Sequence, residues 1–279
     1  MEEKDIISGL RKDIFLTAYS ASIAHIASAF SIVEILYVLY SHKILKVDPK
    51  KPDMNNRDKF ILSKGHGSLA LYTILCHEGF FDKKTLKTFA KPGSILGGEP
   101  TIPNIPGVEA TTGSLGHGLS LGVGMALANK IDNKDEKVYV LLGDGECEEG
   151  TVWEAIMFAG HSKLDNLIVI VDCNKIQKMG TVEDIMGITS WKDKFISFNF
   201  LVKEVDGHNI EELDTVFKEP NNTGKPLVVL CNTIKGKGVS IVENDPRWHW
   251  RLPNKKELKT FINELGITQE EIEECKKLI

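Results

Sequence analysis

The chain has 279 residues, a net charge of −5 and the mixture of apolar and charged residues that is ordinary for a globular protein. This composition gives no support for binding to nucleic acid, and the length is sufficient for one large domain with its own core. No apolar run approaches the length of a membrane span, and the first ten residues lack the features of a signal peptide. The five cysteines show no metal-ligand spacing, so we expect reduced cysteines in a cytoplasmic protein.

Two helices are predicted in the first forty residues. Apolar residues recur at helical spacing over residues 5–19. A second helix is expected over residues 31–40, with Ser31 as its N-cap and Glu34 as the capping-box partner. His25 lies between the two helices among small apolar residues, where a histidine is usually a packed core residue.

A strand is predicted over residues 60–63, and His66 follows it between two glycines. A ligand can approach a histidine in such a turn closely, although turn chemistry alone also explains the sequence. Short helices are expected over residues 68–78 and 83–90. The glycine- and proline-rich segment 91–112 is longer than most loops, and loops of this length are usually functional or disordered.

A further helix begins near residue 113 and is expected to run to Lys130. Its residues Gly118, Gly122 and Ala126 share one face, which permits close packing against a neighbouring element.

The stretch of residues 138–181 predicts a strand–helix–strand unit. The apolar runs 138–142 and 167–171 are long enough for buried strands, and a helical pattern lies between them. The crossover in such a unit is right-handed, and both strands then end at the same edge of a parallel sheet. Asp144 and Asn174 follow these strands, so we expect them to meet at that edge.

Carboxylate, amide and carbonyl oxygens are hard ligands that suit Mg²⁺, which usually also keeps water and phosphate oxygens. Gly143 and Gly145 leave room for the backbone to approach a phosphate. These residues indicate a Mg²⁺–diphosphate site. For Gly-Asp-Gly alone, the alternative is a tight turn with a solvated aspartate and a capping asparagine.

Strands and helices continue to alternate after residue 190. A helix over 190–197, a strand over 201–205, a helix over 210–217 and a strand over 227–230 are predicted. This alternation is typical of a doubly wound, mainly parallel α/β sheet. We expect residues 1–255 to form one domain and residues 256–279 a charged helical tail.

The spacing from Gly-Asp-Gly to Asn174 resembles the thiamine-diphosphate motif. The wider sequence, GDGECEEGTVWEA with DCNKIQ, resembles the transketolase family, and so do SKGHG, NTIKGKG and Trp248-His249. The resemblance extends over roughly residues 5–255 and implies a thiamine-diphosphate-binding fold.

The resemblance implies a site for thiamine diphosphate and Mg²⁺. The implied metal ligands are Asp144, Asn174 and the backbone carbonyl of Ile176. The implied cofactor-binding residues are His66, Gly113, Ser114, Leu115, Gly143, Asp144, Gly145, Glu146, Asn174, Lys237 and His249. The implied catalytic residues are His25, His66, Glu149 and Glu154, of which the two glutamates match positions at a subunit interface between cofactor sites. His25 and Glu99 are implied to face the substrate.

Five positions depart from the family pattern. Glu99 stands where the family usually has a histidine that contacts the donor sugar, and a glutamate carries negative charge and only accepts hydrogen bonds. Trp250 stands where a glycine is common, and Ala24, Ala27 and Ser28 stand in place of the family's glycines around His25. These departures suggest a modified substrate pocket.

The resemblance covers only the family's N-terminal, diphosphate-binding domain. It implies the subunit of a split enzyme that transfers a two-carbon ketol unit from a ketose donor to an aldehyde acceptor. The expected partner is a C-terminal transketolase subunit with the pyrimidine domain and its catalytic glutamate, in a heterotetramer. We expect sugar substrates, and neither nucleic acid nor a membrane as a partner.

Three alternatives remain open. Another thiamine-diphosphate enzyme, of the 2-oxoacid dehydrogenase α or deoxyxylulose-phosphate synthase type, is disfavoured by SKGHG and by KGKG with Trp-His. A non-catalytic assembly subunit that keeps the cofactor fold is disfavoured by the complete Gly-Asp-Gly to Asn174 signature. A dinucleotide-binding domain is disfavoured because GDGECEEG lacks the G-x-G-x-x-G pattern.

Overall fold

A parallel sheet of five strands forms the centre of the computed structural model, which describes residues 2–23, 25–187 and 190–278. Its strands are β1 (Lys59–Leu62), β2 (Val138–Gly143), β3 (Leu167–Cys173), β4 (Leu201–Asp206) and β5 (Leu227–Asn232). They lie in the spatial order β1-β2-β3-β5-β4, and every pair is parallel. Ala24, which replaces a glycine of the family pattern before His25, lies outside the described residues.

Helices cover both faces of the sheet. In chain order they are α1 (Glu3–Ala21), α2 (Ile26–Phe30), α3 (Val33–Ser41), α4 (Ser68–Glu78), α5 (Lys83–Leu86), α6 (His117–Ile131), α7 (Gly150–His161), α8 (Val182–Ile185), α9 (Trp191–Ser197), α10 (Ile210–Lys218), α11 (Leu258–Glu264) and α12 (Gln269–Leu278). None of the helices in the described ranges is long and apolar enough to cross a bilayer.

The central strands β2 and β3 are buried at every residue, whereas the edge strand β4 is only partly buried, and alternate residues of the central strands pack into two separate cores. On β2, Tyr139 and Leu141 pack with α1 to α4 and α10, while Val140 and Leu142 pack with α6, α7 and α9. A strand covered on both faces needs a continuous apolar run, which is what the sequence of β2 and β3 provides. The prediction of a doubly wound parallel α/β sheet is confirmed.

The chain reverses its direction of winding after β4. The connection from β3 to β4 packs α9 on one face, and the connection from β4 to β5 packs α10 on the other, so β5 inserts between β3 and β4. The loops after β3 and β5 therefore leave the sheet towards opposite faces, which leaves a crevice between them at the carboxyl ends of the strands. Doubly wound sheets bind their ligands in a crevice of this kind.

Small residues bring α6 directly onto the sheet. A Cβ atom at Gly118 would lie 2.8 Å from the Cα of Ser63, and one at Gly122 would collide with the side chain of Val140. Ala126 is fully buried on the same face. The expectation of close packing along this face is confirmed.

The predicted capping box at Ser31 and Glu34 was wrong. The helix begins at Val33 after Ile32, and Ser31 instead donates a hydrogen bond to Asp172 at 2.7 Å. Glu34 is buried and accepts two bonds from Arg11 at 2.8 and 2.7 Å. A buried carboxylate is stabilised much more by an ion pair than by a local backbone N–H, so tertiary partners replace the cap.

The C-terminal helices pack on the same body. Phe261 of α11 is fully buried, and its ring stacks on Phe15 of α1 with centroids 4.6 Å apart. Lys12 of α1 pairs with Glu271 of α12 at 2.8 Å. The tail thus covers α1 of its own chain, and a domain division at residue 255 stays a prediction.

Candidate functional site

Three histidines from distant parts of the chain form one cluster at the carboxyl edge of the sheet. His25 precedes α2, His66 lies in a 3-10 turn after β1, and His249 ends a second 3-10 turn after β5. The ring centroids of His25 lie 5.3 Å from His66 and 5.5 Å from His249, and the latter two are 5.7 Å apart. The Nδ1 atom of His25 is buried and has no hydrogen-bond partner in the described part of the chain.

All three imidazoles are held in the neutral form. Burial is the main cause, and the charges of Lys235 and Lys64 act in the same direction. The pKa of His25 is lowered to about 4 and that of His249 to about 3, and the pKa of His66 is lowered well below its ordinary value. A neutral imidazole donates a hydrogen bond from one ring nitrogen and accepts one at the other, so the cluster can bind both acceptor and donor groups of a ligand.

Asp144 spans the ends of β2 and β3. One of its carboxylate oxygens accepts the N–H of Gly145 at 2.8 Å, and the other accepts the N–H of Lys175 at 2.5 Å. Burial and the charge of Asp172 raise the pKa of Asp144 to about 6, against the effect of the two N–H groups. The expected meeting of the two strand ends is therefore present.

Asp172 orients the amide of Asn174. Its fully buried carboxylate accepts hydrogen bonds from Asn174 Nδ2 at 2.8 Å, from Lys64 Nζ at 2.5 Å, from Ser31 and from Thr233. Burial alone would raise the pKa of Asp172, but the Lys64 charge and these donors hold it below its ordinary value. Because the amide nitrogen of Asn174 faces Asp172, its Oδ1 atom faces away and accepts the N–H of Ile176 at 3.1 Å.

Lys235 connects the third oxygen donor with the histidine cluster. Its Nζ atom donates to the carbonyl of Ile176 at 2.7 Å and lies 3.0 Å from Nδ1 of His249. Burial and the charge of Lys64 lower the pKa of Lys235 to about 8. The sequence pattern pointed to Lys237 instead, whose ammonium lies 4.0 Å from Glu243 at the side of the site.

The types of oxygen donor at these three residues suit a small hard cation. Asp144 contributes one carboxylate, Asn174 an amide oxygen and Ile176 a carbonyl, and each oxygen accepts an N–H or ammonium donor of the chain. No cluster of three histidine, cysteine, aspartate or glutamate residues with metal-binding geometry occurs among the described residues. A cation held by one carboxylate and two neutral oxygens would still need water or phosphate oxygens, which is typical of Mg²⁺.

Glu146 fixes the Gly-Asp-Gly turn from below. Its buried carboxylate accepts hydrogen bonds from Ser63 Oγ at 2.5 Å, from the N–H of Gly116 at 2.9 Å and from that of Gly143 at 3.1 Å. Burial raises its pKa, and these three donors oppose the rise. Glu146 therefore ties the ends of β1 and β2 to the loop before α6. A Cβ at Gly145 would lie 2.8 Å from the side chain of Gln177, so a larger residue there would have to displace Gln177.

The loop before α6 passes very close to the His66 turn. A Cβ at Gly65 would lie 2.8 Å from the nitrogen of Gly113, whose own φ of +138° favours glycine. On its other side Gly113 faces Glu99, since a Cβ there would lie 2.5 Å from the Glu99 carboxyl carbon. Glu99 is exposed, and Leu115 further along the loop is partly buried. Gly113 and Glu99 therefore lie beside the turn that carries His66, and Ser114 and Leu115 follow Gly113 in the same loop, which we call the Gly113 wall.

The remaining predicted residues lie at the surface of the site. The side chains of Glu149 and Glu154 are exposed, the former where α7 begins and the latter one turn into it. The ring of Trp250 is 55% exposed and lies 4.2 Å, centroid to centroid, from that of His25. Trp250 therefore covers one side of the histidine cluster.

Two cavities flank the loop after β3. One, of about 740 Å³, is lined by Asn174, Ile176, His208 and Lys237 among others. The other, of about 730 Å³, is lined by Asp144 and Trp191 among others. The three oxygen donors thus lie between two open spaces at the carboxyl edge of the sheet.

Sequence patterns did not reveal three charged groups of this site. Asp172, Lys64 and Lys235 are all buried and contact either a predicted ligand or one of the histidines. The only signal was a charged residue within an apolar or glycine-rich strand end, which does not distinguish a buried ion pair from a solvated turn.

Comparisons with known proteins show the family of the chain. The family model described as transketolase, thiamine diphosphate binding domain, matches residues 3–277. The chain is 41% identical to one subunit of the apulose-4-phosphate transketolase of Phocaeicola vulgatus, over 94% of this chain and 93% of that protein. It is 39% identical to a 6-deoxy-6-sulfo-D-fructose transketolase subunit of a Clostridium species, over 87% of this chain and 88% of that protein.

Among solved structures, the transketolase of Campylobacter jejuni superimposes with a TM-score of 0.87 at 30% sequence identity. The match covers 99% of this chain but 46% of that one, so the chain spans slightly under half of the solved enzyme. The resemblance read from the sequence is confirmed: the chain belongs to the transketolase family, within its thiamine-diphosphate-binding domain.

Proposed function

We propose that the chain is the thiamine-diphosphate-binding subunit of an enzyme that transfers a two-carbon ketol unit from a ketose to an aldehyde. The observation that carries this proposal is that the Ile176 carbonyl, which follows Asn174 after β3, is linked through Lys235 to a cluster of three neutral histidines at the same edge of the sheet. Thiamine diphosphate, when bound, would supply the carbanion chemistry, and the chain would supply binding, orientation and proton handling.

The oxygens of Asp144, Asn174 and Ile176 would hold Mg²⁺. The glycine turn at Gly143 and Gly145 would lie against the diphosphate, and Glu146 would hold this turn in place through its hydrogen bonds. The side chains of Lys235, Lys237 and His249 would contact the diphosphate directly. Lys64 and Asp172 lie behind these groups and hold them in place.

The wall formed by Gly113, Ser114 and Leu115 would hold the aminopyrimidine side of the cofactor. His25 and His66 would face the reacting carbon, where a neutral imidazole can take or return a proton. Water would be excluded by Trp250 on one side and by this wall on the other.

The substrate is proposed to be a ketose that presents hydroxyl groups to Glu99. The names of the two relatives refer to different sugars, apulose 4-phosphate and 6-deoxy-6-sulfo-D-fructose. The choice of sugar therefore differs among similar chains, and we base the proposed substrate on the residues of this pocket. Glu99 is an exposed carboxylate beside the Gly113 wall, and such a group accepts from hydroxyls and repels anions.

The partner is proposed to be a C-terminal transketolase subunit with the pyrimidine domain and a catalytic glutamate, in a cytoplasmic heterotetramer. Large apolar side chains are exposed in loops around the site, at Ile102, Met179, Met186 and Trp250, and on α7 at Met157 and Phe158. Exposed apolar groups of this size commonly mark a surface that another protein covers. The catalytic roles of Glu149 and Glu154 belong to this proposed interface.

The test uses the assembled enzyme with Asp144→Ala. Binding of thiamine diphosphate is measured by calorimetry with and without Mg²⁺. The matched control is Asp53→Ala, because Asp53 is an exposed aspartate in the loop before β1. We expect the Asp144 variant to lose the Mg²⁺-dependent part of binding, because the carboxylate is the only charged ligand proposed. An unchanged affinity in that variant would contradict the metal assignment.

A further inference from the structure

A buried ionic network lies behind the site, on the side of the sheet that carries α1 to α4. Arg11 of α1 and Glu34 of α3 form an ion pair at 2.7 Å, with side chains 7% and 8% exposed. His208, in the turn between β4 and α10, places its Nδ1 atom 3.1 Å from the same carboxylate. Burial alone would raise the pKa of Glu34, but His208 and the charge of Arg11 hold it below its ordinary value.

This network ends on two segments of the proposed site. Arg11 donates to the carbonyl of Phe30 at 3.2 Å, at the end of the short helix that begins directly after His25. The Nε2 atom of His208 accepts the backbone N–H of Ile234 at 2.8 Å, and the next residue is Lys235.

The two segments also contact each other. The N–H of Gly236 donates to the carbonyl of Ala27 at 3.1 Å. A Cβ atom at Gly238 would lie 2.8 Å from the side chain of Arg11, so the loop after β5 passes directly over the network. The loop that carries Lys235 is therefore held at Ile234, Gly236 and Gly238.

The partners of His208 define its tautomer. Glu34 is an ionised acceptor, so Nδ1 of His208 must carry the ring hydrogen. The backbone N–H of Ile234 is a donor, so Nε2 must offer its lone pair as the acceptor. The ring thus transmits the position of a buried carboxylate to one backbone amide, in the manner of the carboxylate–histidine pairs that orient metal sites.

We propose that Glu34 and His208 are positioning residues, which set the place of the Lys235 ammonium relative to the Ile176 carbonyl and to His249. The inference rests on the proposed function, since the ligand of that site is taken to be Mg²⁺ with thiamine diphosphate. His208 lies at the wall of the cavity next to Asn174 and Ile176, but its ring nitrogens are both used within the chain.

Two substitutions separate the two halves of this relay. The amide of His208→Asn lies near the position of Nδ1 and keeps a donor for Glu34, but it leaves the Ile234 N–H without its acceptor. The longer side chain of His208→Gln carries an oxygen near the position of Nε2 and keeps the acceptor for Ile234. His42→Asn is the matched control, because His42 contacts the carboxylates of Glu3 and Asp214 and does not reach the site.

In the assembled enzyme we expect His208→Asn to weaken the binding of Mg²⁺–thiamine diphosphate by roughly tenfold, the usual effect of leaving one buried polar group unpaired. His208→Gln should stay within about threefold of the parent, and the turnover number at saturating cofactor should change less than the affinity in both. In the chain alone, amide hydrogen exchange at Ile234 should accelerate in His208→Asn but not in His208→Gln or His42→Asn.

Equal exchange at Ile234 in all three variants would overturn the inference whatever the cofactor does. Equal loss of affinity in the Asn and Gln variants would also overturn it, because a general loss of packing then explains both. A parent enzyme that fails to bind Mg²⁺–thiamine diphosphate would instead overturn the proposed function, and the exchange result on the chain alone would still decide whether His208 holds the loop.

Discussion

The protonation of the histidine cluster is a property of individual residues that stability measurements can read. The pKa values of His25 and His249 lie at about 4 and about 3 in the fold, and that of His66 is also lowered, mainly through burial. Between these values and the unfolded value near 6.5, the unfolded chain binds more protons than the folded one. The free energy of unfolding should therefore fall as the pH falls below about 6.5. Asp144 acts in the opposite direction, because its raised pKa of about 6 favours proton uptake by the fold.

The substitution His249→Asn should lower by one the number of protons that the chain takes up when it unfolds below about pH 6.5. We expect a shallower loss of stability between about pH 6.5 and 4 in that variant, measured by urea unfolding of the chain without cofactor. His161→Asn, at an exposed position at the end of α7, is the control and should leave the slope of the parent. An identical slope in His249→Asn and the parent would show that the imidazole of His249 is not held neutral in the fold.

Glu99 is the residue at which the choice of substrate should be most sensitive. The variant Glu99→Gln keeps the size of the side chain and removes its charge, so a donor sugar that gives a hydroxyl hydrogen bond to the carboxylate should be used about tenfold less well. The measurement is kcat/KM for neutral and phosphorylated ketoses, with the exposed Glu270→Gln on α12 as control. An unchanged kcat/KM for every ketose would remove Glu99 from the substrate pocket.

The sequence located residues of the site where a local motif exists. Asp144, Asn174, His25 and His66 follow from short patterns at strand ends or from the family resemblance. Asp172 and His208 could not be predicted, because their partners are far away along the chain. Ser31 lies 141 residues from Asp172, and Glu34 lies 174 residues from His208. A pattern within one element carries no information on such pairs.

Secondary structure elements were predictable where burial imposes a continuous pattern. The apolar runs of β2 and β3 are covered on both faces, so their positions follow from the sequence alone. The region of residues 25–33 was less predictable, because a short helix and a turn there are set by contacts of Ser31 and Phe30 with distant side chains. Local propensity is a weak guide where tertiary partners of this strength exist.

Two loops of the site meet at a glycine pair, which makes a prediction for these elements as a unit. In Gly65→Ala, the new Cβ would lie 2.8 to 2.9 Å from backbone atoms of Thr112 and Gly113. Backbone cannot yield as a flexible side chain can, so the His66 turn and the Gly113 wall should move apart. We expect a loss of about 1–3 kcal/mol in the free energy of unfolding, together with weaker cofactor binding.

Gly9→Ala is the matched control for this pair, since nothing lies within 4 Å of a Cβ at Gly9 in α1. Alanine is favoured over glycine in a helix interior by about 0.5–1 kcal/mol, so this variant should gain stability. Thermal or urea unfolding of the two variants should therefore shift in opposite directions. Equal shifts would mean that the loops at Gly65 adapt to a side chain.

At the scale of the whole molecule, large apolar side chains are exposed to solvent around the proposed site. Met179, Met186 and Trp250 are 84%, 60% and 55% exposed around the carboxyl edge. The two relatives of similar length have names that describe them as subunits. The exposed apolar side chains and these names favour a partner protein that covers this surface.

Activity should therefore depend on assembly with that second protein. We expect the chain alone to show no ketol transfer, and two copies to combine with two copies of a C-terminal transketolase subunit, because closed two-fold symmetry is the commonest way to pair such sites.

Phe158 lies one helical turn after Glu154 on the outer face of α7 and is 45% exposed. In Phe158→Lys a charge would be buried in the proposed interface, so the complex should dissociate more readily on dilution in analytical ultracentrifugation. Ile131→Lys is the control, since Ile131 is 70% exposed at the end of α6, shortly before β2 begins, and so lies at the amino edge of the sheet, away from the site; that variant should assemble as the parent does. Ketol transfer by the purified chain alone, or equal assembly of both variants, would contradict an interface on α7.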